Sequence, residues 1–144
     1  MYGGSHNGTR LSELWEWDGA RWEKLIAEDP ESDGSPPVLT DCSMTWHGSL
    51  GRVVLYGGHQ GGYGGPSNKL WAWDGTSWER ISPTDPEEDG NPPGVQYSSL
   101  AWDPVRDRLV LYGGNSPSSN PPYIDAVWEF NGVSWQKMAA VDNL

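Results

Sequence analysis

The chain has 144 residues, a formal net charge of −11, ten Trp and six Tyr against one Phe, and a single cysteine, Cys42. A surface this acidic repels phosphate, so nucleic acid and anionic membranes are poor partners, and one cysteine excludes an internal disulfide. No run of about 18 apolar residues is present to span a bilayer, and no basic segment with an apolar core marks a secretory signal at Met1-Tyr2-Gly3-Gly4-Ser5.

Nineteen Gly and twelve Pro punctuate short apolar and aromatic runs, the composition of an all-β protein of short strands and tight turns. Taken in chain order, Met1-Tyr2 reads as the end of a strand closed by Gly3-Gly4, followed by a variable loop at 5–12. Leu14-Trp15-Glu16-Trp17 reads as the next strand, with Trp15 and Trp17 on one face and Glu16 on the other. Asp18-Gly19 turns the chain into a strand carrying Trp22. An acidic linker, Asp29-Pro30-Glu31-Ser32-Asp33-Gly34-Ser35-Pro36-Pro37, leads to an inner strand at Ser43-Met44-Thr45-Trp46. Arg52-Val53-Val54-Leu55-Tyr56 follows, β-branched and apolar, ended by Gly57-Gly58. The pattern then recurs: a loop at 59–69, Leu70-Trp71-Ala72-Trp73, Asp74-Gly75, Trp78, and a second acidic linker from Asp85 to Pro93. It recurs again as Ser98 to Trp102, Arg108 to Tyr112, Gly113-Gly114, a loop at 115–126, Val127-Trp128-Glu129-Phe130, Asn131-Gly132 and Trp135.

The first two full copies are offset by 56 residues, from Trp15 to Trp71 and from Tyr56 to Tyr112. A fixed period of this length, with four strands in each copy, is the mark of a stacked-sheet repeat architecture. The apolar strand ending in Gly-Gly, the Trp-x-Trp-Asp-Gly strand and the Trp after a short turn resemble the Kelch motif. The nearest variant is the bacterial form, similar to the central domain of galactose oxidase. The resemblance covers the whole chain and implies a Kelch-type β-propeller: one partial domain over 1–144, with blade 1 at 1–28, blade 2 at 38–84 and blade 3 at 94–140. Where many Kelch repeats carry Arg and Gly-His before the innermost strand, this chain has residues 38–41 and 94–97.

This reading expects eleven strands, the first blade lacking its inner one. An open stack of blades exposes aromatic faces and strand edges. A homodimer closing a six-bladed ring is therefore expected, the other possibility being a piece of a longer propeller.

Loops held by a rigid scaffold carry binding. His6, His59, Tyr63 and Tyr123 on the variable loops are the candidate contacts for a protein or carbohydrate ligand. The acidic linkers place Asp29, Glu31 and Asp33, and likewise Asp85, Glu87 and Asp89, at alternate positions before a glycine, as in the first half of a Ca²⁺ loop. Thr40 and Gln96 stand where the closing acid belongs, so solvated acidic turns are the favoured reading over calcium. His47, opposite Asp103 in the repeat, reads as a surface turn residue. Cys42 lies apart in sequence from any Tyr/His cluster, which speaks against oxidase-type copper chemistry. The basic residues are scattered, against a sialidase-like arginine cluster. The inner strands offer Ser43, Thr45, Ser98 and Ser99 without an acid or base. A non-catalytic binding or scaffold module is thus expected, with a sugar-processing or oxidase-type propeller enzyme as the alternative.

Overall fold

The computed structural model describes residues 1–29, 32–62 and 64–139. Within them the chain is all β, with no helix, and its strands form four antiparallel sheets. The second repeat is a meander of β5 (Thr40–His47), β6 (Arg52–His59), β7 (Leu70–Trp73) and β8 (Trp78–Ile81), paired in that order. The third repeats it with β9 (Ser99–Asp103), β10 (Arg108–Tyr112), β11 (Val127–Phe130) and β12 (Trp135–Met138). The first retains only the outer pair, β3 (Leu14–Trp17) with β4 (Trp22–Leu25).

The expected strand count needs two corrections. Met1-Tyr2 is no strand: Tyr2 makes one isolated bridge, to Leu14. The edge of Glu16 and Trp17 is left without a strand partner, beside an apolar recess of about 260 Å³ reaching Met44, Val53 and Trp73. The segment expected as an irregular loop instead holds a hairpin, β1 (Ser5–His6) with β2 (Thr9–Arg10). Its Asn7 and Gly8 both have positive φ, 48° and 78°, the backbone of a two-residue turn that Asn-Gly favours. The described residues therefore hold twelve strands.

Tight turns follow β3, β7 and β11 at the dipeptides expected to make them. Each spans four residues, and only its glycine has positive φ. The leading Asp or Asn side chain organises the rest: Asp18 Oδ1 accepts from the Ala20 and Arg21 N–H groups at 2.7 and 2.8 Å. Asp74 and Asn131 do the same for their own turns. These are Asx-type turns, in which a short side chain replaces a backbone acceptor.

Two apolar layers hold the three units together, and strand alternation builds both. Leu55, Trp71, Trp73 and Trp78 of the middle sheet join Tyr2, Leu14 and Leu39 at the first seam. Val54, Tyr56 and Leu70 join Leu109, Trp128, Phe130 and Trp135 at the second. Being covered on both faces, all of β7 is buried. The linkers lock each seam in the same way. Gly4 N–H donates to the Leu39 carbonyl at 2.8 Å, and Gly58 N–H to that of Val95 at 2.7 Å. Tyr2 donates its hydroxyl to the Pro36 carbonyl, and Tyr56 donates to that of Pro92 at 2.7 Å.

Candidate functional site

Loops and strand starts from all three units converge at one end of the sheets. The β1–β2 hairpin leans on the end of β6, which runs on through Gly57-Gly58, so His59 is a strand residue and not a loop residue as expected. There Arg10 Nη2 lies 3.4 Å from His59 Nδ1. His59 Nδ1 also accepts the Gly61 N–H at 2.9 Å, which fixes the imidazole and leaves Nε2 to carry the proton. Gly61 admits this packing, since a side chain there would meet the Arg10 guanidinium at 2.5 Å. Arg10 forms no ion pair among the described residues.

Next to this contact the inner strands begin in an unusual conformation. Asp41 and Tyr97 occupy equivalent positions in two repeats, both at φ 61°, the left-handed region that non-glycine residues seldom adopt. Tyr97 N–H donates to the Asp41 carbonyl at 3.1 Å, so the two starts are joined directly. Asp41 and Tyr97 side chains are both exposed. Ser5, Gly8, Arg10, Thr40 and Asp41 line an open surface concavity of about 300 Å³. A guanidinium, a carboxylate and two hydroxyls suit a ligand rich in hydroxyl or carboxylate groups.

The expected contact residues divide. His59 is half-buried behind Arg10 and acts as its support. His6 is exposed on β1 with its Nε2 3.1 Å from the Asn7 amide. Tyr123 is exposed on the third loop, where it bridges Asn115, and it does not line the cavity. Tyr63 lies outside the described residues. Arg10, Asp41 and Tyr97 escaped the sequence reading. Arg10 is a single basic residue in a loop without a counterpart, and no local signal announces a left-handed Asp or Tyr.

The acidic linkers direct their carboxylates to backbone. Asp29 Oδ1 and Asp85 Oδ2 each accept the N–H of the linker glycine, Gly34 or Gly90, at 3.1 Å. Asp33 reaches the outer strand of the following sheet and accepts the Arg80 N–H at 2.7 Å, and Asp89 accepts that of Lys137 at 2.7 Å. Those N–H groups belong to edge strands, where an unpaired donor invites association with another chain. The spacing that resembles a Ca²⁺ loop thus arises from one Asp that closes the turn and another that clamps the neighbouring sheet. Glu87 is exposed, and Glu31 lies outside the described residues. No group of three or more potential metal ligands gathers among the described residues.

His47 corrects a second expectation. It is fully buried, not a surface turn residue. Phe130 of the next unit packs edge-on against its ring at 6.2 Å, and Asp107 approaches Nδ1 to 3.8 Å. Neither ring nitrogen has a hydrogen-bond partner, and burial holds its pKa below the ordinary imidazole value. Asp103, its counterpart, does remain a turn residue, accepting from the Val105 and Arg106 N–H groups.

No protein-family model matches the chain, and no curated protein matches it either.

Proposed function

We propose that the three units are consecutive blades of a Kelch-type β-propeller, that a second copy of the chain completes the ring, and that the assembly is a non-catalytic binding scaffold. The blade reading is supported by four-stranded meanders that recur with the same turns and the same linker contacts. The observation that carries the binding reading is the cavity of Ser5, Arg10, Thr40 and Asp41. Its floor is set by inner-strand starts that backbone hydrogen bonds hold in place, so little conformational entropy is lost on binding.

The groups in this cavity bind better than they react. Arg10 offers a forked donor, Asp41 an acceptor, and Ser5 and Thr40 either role. Neighbouring hydroxyls of a sugar ring match that alternation, and exposed Tyr97 beside Asp41 supplies an aromatic face. The same donors can take a peptide carboxylate or backbone, so the ligand is a glycan or a protein loop.

A screen of the purified chain against a glycan array, followed by calorimetry, tests the reading. Arg10→Ala is expected to weaken a bound ligand by at least about tenfold, the loss of a charge-assisted hydrogen bond, with the chain still folded and its melting temperature lowered only slightly by loss of the His59 contact. A ligand whose affinity survives both Arg10→Ala and Asp41→Asn would place binding elsewhere and overturn the assignment.

A further inference from the structure

The two internal seams show what covers each aromatic surface of a unit, and among the described residues the outer faces of the first and third units lack that cover. At the first seam Tyr2 meets Trp78 with ring centroids 5.5 Å apart, and at the second Tyr56 meets Trp135 at 5.4 Å. Each of these tryptophans also leans on an aromatic of its own unit. The pairs are Trp73 with Trp78 at 5.4 Å and 49°, and Phe130 with Trp135 at 5.1 Å and 41°. The first unit holds the same pair, Trp17 with Trp22, at 5.5 Å and 47°. Its aromatic surface therefore has the geometry of the covered ones, yet Trp22 is 53% exposed where Trp78 and Trp135 are 1%.

The opposite end carries the complement. Tyr112 occupies the position of Tyr2 and Tyr56 in the third unit, and it is 54% exposed where Tyr56 is 1%. Val110, Val127 and Met138 share its face by strand alternation and register, as Val54, Leu70 and Ile81 share that of Tyr56. Glu129 replaces buried Ala72 on that face. Glu16 holds the same place at the first seam and remains exposed there, so a carboxylate is compatible with the contact.

Building on the self-association proposed above, we infer that Tyr112 of one protomer packs on the Trp17–Trp22 pair of its partner, and reciprocally, closing two chains through two equivalent seams. Both halves of the contact are present on every copy. A second copy therefore satisfies both ends at once, which a face-to-face pairing of like surfaces does not.

Light scattering on a sizing column, with Trp22→Glu, Tyr112→Glu and their equimolar mixture, tests the pairing. The wild-type chain is expected at twice its 15.9 kDa, and each variant alone as a monomer. The mixture is expected to regain a two-chain species, because one seam then joins the intact Tyr112 of one variant to the intact Trp22 of the other. Its affinity should be at least about tenfold weaker than that of the wild type. Both side chains are half-exposed in the single chain, so each variant should melt as one folded monomer. Trp22→Ser and Tyr112→Ser repeat the test without a buried charge if either does not. A monomeric wild type would overturn self-association itself and leave the ends to neighbouring units of a longer chain. A dimer broken by Trp22→Glu but indifferent to Tyr112→Glu would overturn the pairing alone, in favour of two like faces meeting. Growth beyond two chains would overturn the closed arrangement.

Discussion

The imidazole of His47 lies 3.8 Å from the Asp107 carboxylate across the second seam, fully buried and without a hydrogen bond on either ring nitrogen. Desolvation favours the neutral ring, the Asp107 charge opposes that in part, and Arg108 adds to it. Unfolded, the ring titrates near its ordinary value of about 6.5. Its folded pKa lies lower, so the folded state binds fewer protons between the two values. The penalty for charging this buried ring is absent above about pH 6.5, and stability falls as pH drops below it toward the folded-state pKa. Thermal unfolding followed between neutral and mildly acidic pH should show a falling melting temperature. His47→Phe should flatten that fall and raise stability at neutral pH by about 1 kcal/mol, since two unsatisfied buried nitrogens disappear. A profile identical to the wild type would show that the ring is solvated.

Tyr56 and Tyr112 are equivalent in sequence and different in surroundings. Tyr56 donates to the Pro92 carbonyl at 2.7 Å, lies 3.2 Å from that of Pro93, and is buried with a pKa raised far above the phenol range by desolvation. Tyr56→Phe should cost about 1–2 kcal/mol in urea unfolding, because the buried Pro92 carbonyl loses its donor. Tyr112→Phe should cost almost nothing in the single chain. Equal costs would mean that the linker contact does not contribute.

The linker aspartates are expected to act through the backbone. Asp89→Ala removes the acceptor for the Lys137 N–H on the outer strand and should lower stability by about 1 kcal/mol, with Asp33→Ala similar. Millimolar Ca²⁺ should leave the wild-type melting temperature unchanged. A rise of several degrees would show that these carboxylates bind the ion despite their backbone hydrogen bonds.

Gly57 and Gly113 separate conformation from close approach. Their φ values are 76° and 73°. A side chain at Gly57 would meet the Val95 carbonyl oxygen at 2.6 Å, whereas Gly113 faces open space. Gly113→Ala should cost about 1 kcal/mol for the left-handed backbone alone. Gly57→Ala should cost clearly more, because the linker must shift. Circular dichroism melts of the two variants check this, and equal losses would mean that the linker yields freely.

What recurs in this chain was legible in its sequence, and what occurs once was not. The strands around Trp71, Tyr56 and Trp128, and the register of one unit against the next, follow from residues repeated at a fixed period. The hairpin at Asn7-Gly8 has no counterpart in the other loops, and its turn signal lies in that dipeptide alone and not in the repeat. His47 was misplaced for a related reason: its counterpart Asp103 is a turn residue, and only Phe130, from another unit, buries the ring. The candidate site was half visible. His59 is legible as a histidine after Gly57-Gly58, but Arg10 gains its place from the tertiary contact with the end of β6. The left-handed starts at Asp41 and Tyr97 depend on how the inner strands meet.

The proposed site would hold its ligand on a rigid floor at this end of the molecule. Backbone amide NMR shifts during titration with the best ligand from the glycan screen test it most directly. Changes are expected to cluster at Ser5, Arg10, Thr40, Asp41 and Tyr97, with the sheets beneath unmoved. Changes centred on Trp17, Trp22 or Tyr112 instead would contradict it and assign binding to the ends of the stack.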